Sequence, residues 1–156
     1  MLSRLRSRGL PGRLRAVCEL RTAGEAFLFV RVVAFAAVVP MLMRLPLPRV
    51  AAIVTRVPRG RAPSGAEIEQ LDRMIALAPR VARPLVRSGC LTRGVTLFWF
   101  LRRAGLDVEL RFGLDAAQDE PTEGHCWLSV GDEPFLEKVD PRLRFAELYR
   151  LPLATT

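Results

Sequence analysis

The hydrophobic period of the chain changes at Gly105, and this change limits the folds open to it. Before Gly105 apolar residues recur at helical spacing, whereas across 106–114 every second residue is apolar, which is typical of a half-buried strand. Further strands are predicted at 125–130 and 135–139, and 145–151 is expected to form a last helical turn or a strand. Helices followed by hairpin-connected strands predict an α+β fold, in which a helix packs on a small antiparallel sheet.

Length and composition predict one compact domain. The chain has 156 residues, of which half are hydrophobic, and this is enough to build a sizeable core. We expect a basic tail at 1–12, a helical N-terminal region at 13–84 and the α+β core at 85–156.

Prolines separate the helices predicted in the front half of the chain. A short helix is plausible at about 49–57. Ser64 and Glu67 have the spacing of a capping box, which predicts a helix running from there to residue 77. Pro79 and Pro84 are expected to break the chain before the next helix, or to allow a short helical turn at 80–87.

The most apolar run of the chain covers residues 26–43. A membrane-spanning helix needs about 20 apolar residues, and Arg31 and Pro40 leave only 32–39 uninterrupted. We therefore expect a helix that is apolar on most sides and packs inside the domain. A helix on a membrane surface, with its arginines snorkelling, and a full membrane span stay open as alternatives.

The net charge of +8 is concentrated in the front half. Residues 1–63 hold twelve arginines and two acids, a balance of +10, whereas residues 64–156 hold twelve basic and fourteen acidic residues, a balance of −2. A basic surface of this kind suits nucleic acid, an anionic membrane or an acidic peptide. Because no nucleic-acid-binding motif accompanies it, we expect solvated surface arginines and no nucleic-acid partner.

Cysteine and histidine are scarce. The three cysteines, Cys18, Cys90 and Cys126, lie at no metal-ligand spacing, and there is one histidine, so no zinc site and no cofactor are expected. Few cysteines without a cleavable secretory signal predict a reducing, cytoplasmic compartment, with contact at a membrane left open. Cys18 is expected to be a packing residue.

Cys90 is the candidate nucleophile. It lies in the first turn of a predicted helix that Ser88 would cap and that Gly105 would end. The positive end of the helix macrodipole favours the thiolate, which is the reactive form of cysteine. The alternative is that Cys90 is a small buried apolar residue, as most free cysteines are.

His125 is the only imidazole available as a base for Cys90. Because side chains alternate along a strand, the side chains of His125 and Cys126 point to opposite faces of the sheet, and Cys126 is expected to be a core residue. A third group would orient the imidazole. If the hairpin closes through a loop at 132–133, Asp140 faces His125, whereas Glu137 points to the other side of the sheet.

These residues carry a resemblance to a known family. A cysteine at the start of a helix, a His-x-Trp strand and a following acid resemble the transglutaminase-like cysteine-enzyme superfamily. More narrowly, four motifs look like those of the leader peptidases of lasso-peptide biosynthesis, which are similar to the C-terminal domain of microcin-processing enzymes. The motifs are SGCLTR at 88–93, FWFLRRAG at 98–105, GHCWL at 124–128 and EPFLE at 133–137.

The resemblance implies a cysteine peptidase with a Cys-His-acid triad. The first two members map to Cys90 and His125. The family's spacing places the acid at Glu137, whereas the Asp-Pro pair of the broader superfamily places it at Asp140, so both stay open. Cys126 stands where the family usually has alanine.

The resemblance also implies partners. The substrate is the leader-bearing precursor peptide, held by a separate leader-recognition protein, and a separate ATP-dependent lasso cyclase closes the freed core. This chain has no phosphate loop, so it is not expected to use ATP. The alternatives are an acyl-transferring enzyme with the same triad, and a non-enzymatic partner-binding or membrane-associated module.

Overall fold

Four helices precede a four-stranded sheet in the computed structural model, which describes residues 22–55, 60–115 and 123–152. The α+β prediction is confirmed, and 145–151 is a strand; the predicted tail at 1–12 and Cys18 lie outside the described residues. The helices are α1 (Ala23–Leu42), α2 (Leu47–Thr55), α3 (Gly65–Val81) and α4 (Cys90–Arg103), and the strands are β1 (Glu109–Asp115), β2 (Gly124–Val130), β3 (Glu133–Phe135) and β4 (Phe145–Leu151), with a 3-10 turn at Pro141–Leu143.

The sheet is antiparallel, with strand order β3-β2-β1-β4. Helix α4 packs on it, and both contribute to one hydrophobic core. The predicted alternation of β2 is confirmed in that Cys126 and Leu128 lie in this core. Members of the core from α4 and the sheet are Val95, Leu97, Phe98, Leu101, Leu110, Cys126, Leu128 and Leu151.

Gly94 lets α4 approach the sheet closely. A Cβ atom at this position would lie 3.0 Å from the sulfur of Cys126 and 3.1 Å from Cδ1 of Leu110. A larger residue would therefore push the helix away from β1 and β2. The close approach brings the first residue of α4, Cys90, to the end of the sheet where β2 begins.

The capping-box prediction for α3 is confirmed, but the predicted end of the helix is wrong. The side chain of Ser64 accepts a hydrogen bond from the backbone N–H of Glu67, and the Glu67 carboxylate accepts one from the backbone N–H of Ser64. The helix continues through Pro79 to Val81. Pro79 removes one backbone donor within the last turn, and the buried side chains of Leu77 and Ala78 keep that turn packed on the core.

Helix α1 contains the most apolar run and continues through Pro40 to Leu42. One stripe faces the core, whereas other large apolar side chains are exposed, which makes the expectation of a helix packed inside the domain only half correct. By length and composition α1 could cross a membrane, although 28% of its apolar window is buried within the protein. The buried stripe is Phe29, Val32, Ala36, Val39 and Leu42; the exposed side chains include Phe27, Val30, Val38 and Met41.

The hairpin between β2 and β3 has a different register from the predicted one. Val130 pairs with Glu133 and Leu128 with Phe135, so the loop is 131–132 rather than 132–133. Gly131 has φ +60° and supplies the positive φ that a two-residue hairpin loop of this kind requires at its first position. The strand predicted at 135–139 ends at Phe135 because Leu136, with φ +59°, turns the chain out of the sheet.

Arg111 binds the 131–132 loop to the sheet. Its buried guanidinium donates to the carbonyl oxygen of Gly131 at 3.0 Å and pairs with Asp132 at 3.0 Å. The carboxylates of Glu109 and Glu147 lie 2.8 and 3.1 Å from the same guanidinium. These carboxylates offset the cost of burying the cation, which stabilises the hairpin in the observed register.

Candidate active site

Cys90 is the first residue of α4 and is half buried. The residue before it, Gly89, occupies the N-cap position, so the prediction that Ser88 caps the helix is wrong. Gly89 is in an extended conformation, with φ 166° and ψ 156°, and no side chain caps the helix. The N-terminal amides of α4 therefore remain available beside the sulfur, where the macrodipole also favours negative charge.

The pKa of the Cys90 thiol is lowered from the ordinary value of 9.0 to about 5. The main cause is a hydrogen bond from the Cys126 side chain, and the Cys126 backbone and the His125 side chain add to it. Burial acts in the opposite direction but is outweighed. Sγ of Cys90 also lies 3.9 Å from the carbonyl oxygen of Gly124. At neutral pH the sulfur is thus a thiolate, which is the nucleophilic form.

Cys126 is buried, as predicted, but it also contacts the reactive sulfur. It packs under Gly94 of α4, and its own pKa is raised because its thiol donates to Cys90 and because it is buried. It therefore stays protonated and serves as a hydrogen-bond donor. Sequence reasoning placed it in the core and missed this second role, although a core-facing position beneath the cysteine-bearing helix was a signal for it.

His125 lies at the start of β2, half buried between two aromatic rings. The ring of Phe145 stacks on it at 5.0 Å between centroids, and the ring of Trp127 stacks at 6.2 Å. Nε2 of His125 lies 3.8 Å from Oε2 of Glu137, which is within ion-pair distance but too long for a hydrogen bond. Cys90 and His125 thus line one cavity, and Glu137 lies beside His125.

Glu137 is held by Arg93, a residue that sequence reasoning did not select. Nη1 of Arg93 donates to Oε1 of Glu137 at 3.2 Å, and Nη2 donates to the carbonyl oxygen of Leu136 and to Oδ1 of Asp72, each at 3.0 Å. Arg93 follows Cys90 by three residues, so both lie on one side of α4. That spacing was the available signal.

Asp140 is oriented differently from what the hairpin argument predicted. Because β3 ends at Phe135, Asp140 does not pair with His125 across the sheet, and Glu137 is not directed to its opposite face. Asp140 caps the 3-10 turn and binds Arg142 at 2.7 Å, and this bond lowers the pKa of its carboxyl group. It still lines the cleft that His125 and Glu137 share.

Two cavities of different character meet at His125. One, of about 300 Å³, opens beside Cys90 and has an apolar lining. The other, of about 660 Å³, lies on the side of Glu137 and carries the charged groups of Asp72, Arg93 and Arg144. In residues 22–55, 60–115 and 123–152 no group of three or more His, Cys, Asp or Glu side chains is arranged to hold a metal ion.

A protein-family model matches this chain. The model described as the transglutaminase-like superfamily matches residues 29–150, which is most of the chain. That superfamily includes cysteine peptidases and transglutaminases. Searches of curated proteins and of solved structures give no significant match.

Proposed function

The chain belongs to the transglutaminase-like superfamily, and we propose that it is a cysteine peptidase that removes the leader from a ribosomally synthesised lasso-peptide precursor. The observation that carries the peptidase proposal is the position of Cys90, at the uncapped start of α4 and on the wall of the cavity that His125 also lines. The four motifs at 88–93, 98–105, 124–128 and 133–137 support the narrower substrate.

Cys90 enters the reaction as the thiolate, and its proton is held by His125. The thiolate attacks the scissile carbonyl carbon, a C–S bond forms, and the carbonyl electron pair moves to oxygen. The backbone N–H of Cys90, at the open start of α4, stabilises the oxyanion. When the intermediate collapses, the C–N bond breaks and the imidazolium of His125 protonates the leaving amine. Water then attacks the thioester, loses a proton to His125 and releases the Cys90 thiolate.

Glu137 is the proposed third member of the triad. Its carboxylate lies 3.8 Å from Nε2 of His125 and is anchored by Arg93, so it is placed to stabilise the imidazolium. Asp140 is the alternative, because it lines the same cleft, but its carboxylate is engaged by Arg142.

The proposed partners follow from the same assignment. A separate leader-recognition protein presents the precursor, and an ATP-dependent lasso cyclase uses the freed core peptide. No part of these steps requires a cofactor from this chain.

The test is cleavage of the precursor encoded beside this gene, with its recognition protein present, followed by mass spectrometry. We expect a leader and a core whose masses sum to the precursor plus one water, and no cleavage with Cys90→Ala. Cys126→Ala removes the other described cysteine and should still cleave, but more slowly because the hydrogen bond to Cys90 is lost. Products in which an amine replaces the water would assign acyl transfer instead. Cleavage by Cys90→Ala at the wild-type rate would exclude the proposed chemistry.

A further inference from the structure

We propose that the cavity beside Cys90 is a subsite for a large apolar side chain of the substrate, next to the scissile bond. This inference rests on the proposed peptidase function. It adds a specificity that the triad alone does not define.

The cavity lies where the part of the substrate next to the scissile bond must bind. Cys90 and His125 form part of its wall, so a peptide whose carbonyl meets the sulfur places a neighbouring side chain at this opening. A volume of about 300 Å³ is at the small end of ligand sites, which suits one side chain rather than a whole ligand.

The lining of the cavity selects apolar groups. Its side chains other than those of the reacting pair are Leu91, Phe112, Leu114, Cys126 and Leu148. A charged or amide side chain entering this space would lose its water without gaining a hydrogen-bond partner from these carbon-rich walls. A leucine or phenylalanine side chain would instead exchange water for apolar contact.

The opposite side of the site has the reverse character. Beyond His125 the larger cleft presents charged side chains of both signs, which are Asp72, Arg93, Glu137, Lys138, Asp140 and Arg144. A peptide crossing the reacting pair therefore meets an apolar wall on one side and charged groups on the other. This asymmetry gives the bound peptide a preferred direction and assigns its apolar residue to the Cys90 cavity.

Leu148 marks the rim of the subsite. It lies on β4 and lines the cavity, yet 66% of its surface is exposed in the free protein. A substrate side chain in the cavity would cover part of this surface. Because Leu148 contributes little to the core, a polar substitution there tests the subsite without emptying the interior.

The test uses two matched alkylating reagents on the full chain: benzyloxycarbonyl-leucyl and benzyloxycarbonyl-asparaginyl chloromethyl ketones. The two side chains are similar in shape and neither is charged, but only asparagine is polar. Each reagent forms a C–S bond to Cys90 as the C–Cl bond breaks and chloride leaves. Rates are followed by intact mass spectrometry and divided by each reagent's rate with glutathione.

We expect the leucyl reagent to react at least about tenfold faster after this correction. Leu148→Asp should reduce the preference to less than about threefold, whereas Leu143→Asp, at an exposed position outside the cavity, should keep it. Equal corrected rates for the two wild-type reactions, or an unchanged preference in Leu148→Asp, would overturn the subsite.

Iodoacetamide separates this result from failure of the proposed function. It alkylates Cys90 without needing a side-chain pocket. If wild-type protein reacts with it no faster than an ordinary thiol at pH 6, the nucleophile proposal fails. Rapid iodoacetamide reaction together with equal leucyl and asparaginyl rates would overturn the subsite alone.

Discussion

The guanidinium of Arg93 lies 3.2 Å from the carboxylate of Glu137, the same carboxylate that lies 3.8 Å from the imidazole of His125. Arg93 also lies one turn after Cys90 on α4. The Arg93 side chain thus links α4, which carries the nucleophile Cys90, to Glu137, which faces His125. Since Glu137 stands just beyond the end of β3, where Leu136 has left the sheet, this ion pair is what restrains it.

Arg93 is therefore expected to be a positioning residue. Arg93→Gln should lower kcat about tenfold with a smaller change in KM, because the main loss is the anchor of Glu137. Arg93→Lys should restore part of kcat by keeping one charged contact. The measurement is steady-state cleavage kinetics together with the melting temperature.

Asp72→Asn is the matched control for Arg93. It removes another ion pair of Arg93 but leaves the contact with Glu137, so kcat should stay near the wild-type value. A loss of kcat in Asp72→Asn as large as in Arg93→Gln, or full activity of Arg93→Gln, would contradict the positioning role.

At acidic pH the reaction rate should follow ionisation of the Cys90 thiol. Its pKa is lowered to about 5, so the thiolate predominates above that pH and is lost as the pH falls through it. A thiol with the ordinary pKa of 9.0 would have roughly a hundredfold less thiolate at pH 7. The rate of alkylation by iodoacetamide, measured from pH 4 to 9, should reach half its plateau near pH 5. A midpoint above pH 8 would show that the sulfur is an ordinary thiol.

Cys126 is expected to sustain that low pKa. Cys126→Ala removes the thiol donor, which is the largest cause of the shift, so the pKa of Cys90 should rise. At pH 6 the alkylation rate should fall roughly threefold or more as the thiolate fraction decreases. Cys126→Ser keeps a donor and should retain more of the reactivity. Superimposable pH profiles for wild type and Cys126→Ala would exclude the hydrogen bond as a cause.

Gly94 should be needed for the close packing of α4 on the sheet. Gly94→Ala places a methyl group 3.0 Å from the Cys126 sulfur and 3.1 Å from Leu110, so the helix must shift. We expect a loss of about 1–3 kcal/mol in the free energy of unfolding, and slower alkylation of Cys90. Gly65→Ala is the matched control, because nothing lies within 4 Å of the added Cβ. Chemical denaturation measures both variants; equal stability of the two would contradict the packing argument.

Local sequence signals predicted most of the elements. The capping box of Ser64 and Glu67, the end of α4 before Gly105 and the alternation of β2 all depend on residues that are near neighbours in the chain. The same reasoning placed Cys90 at a helix start and missed the N-cap by one residue, because helix boundaries depend on small differences in local backbone conformation.

The tertiary structure decided what surrounds the reactive sulfur. The predicted hairpin register depended on a loop one residue too late, and the observed loop moved Asp140 away from the pairing position and left Glu137 beside His125. The contacts of Arg93 with Glu137, and of Cys126 with Cys90, likewise join residues far apart in the chain.

The sequence by itself determined the order of helices and strands, the start of the cysteine-bearing helix and the identity of the single imidazole. Only the folded chain decided which acid approaches that imidazole and which thiol hydrogen-bonds the nucleophile. The physical reason is that hydrophobic period and capping act between near neighbours, whereas a strand's register, set here by Gly131 and the buried Arg111, determines which distant side chains meet.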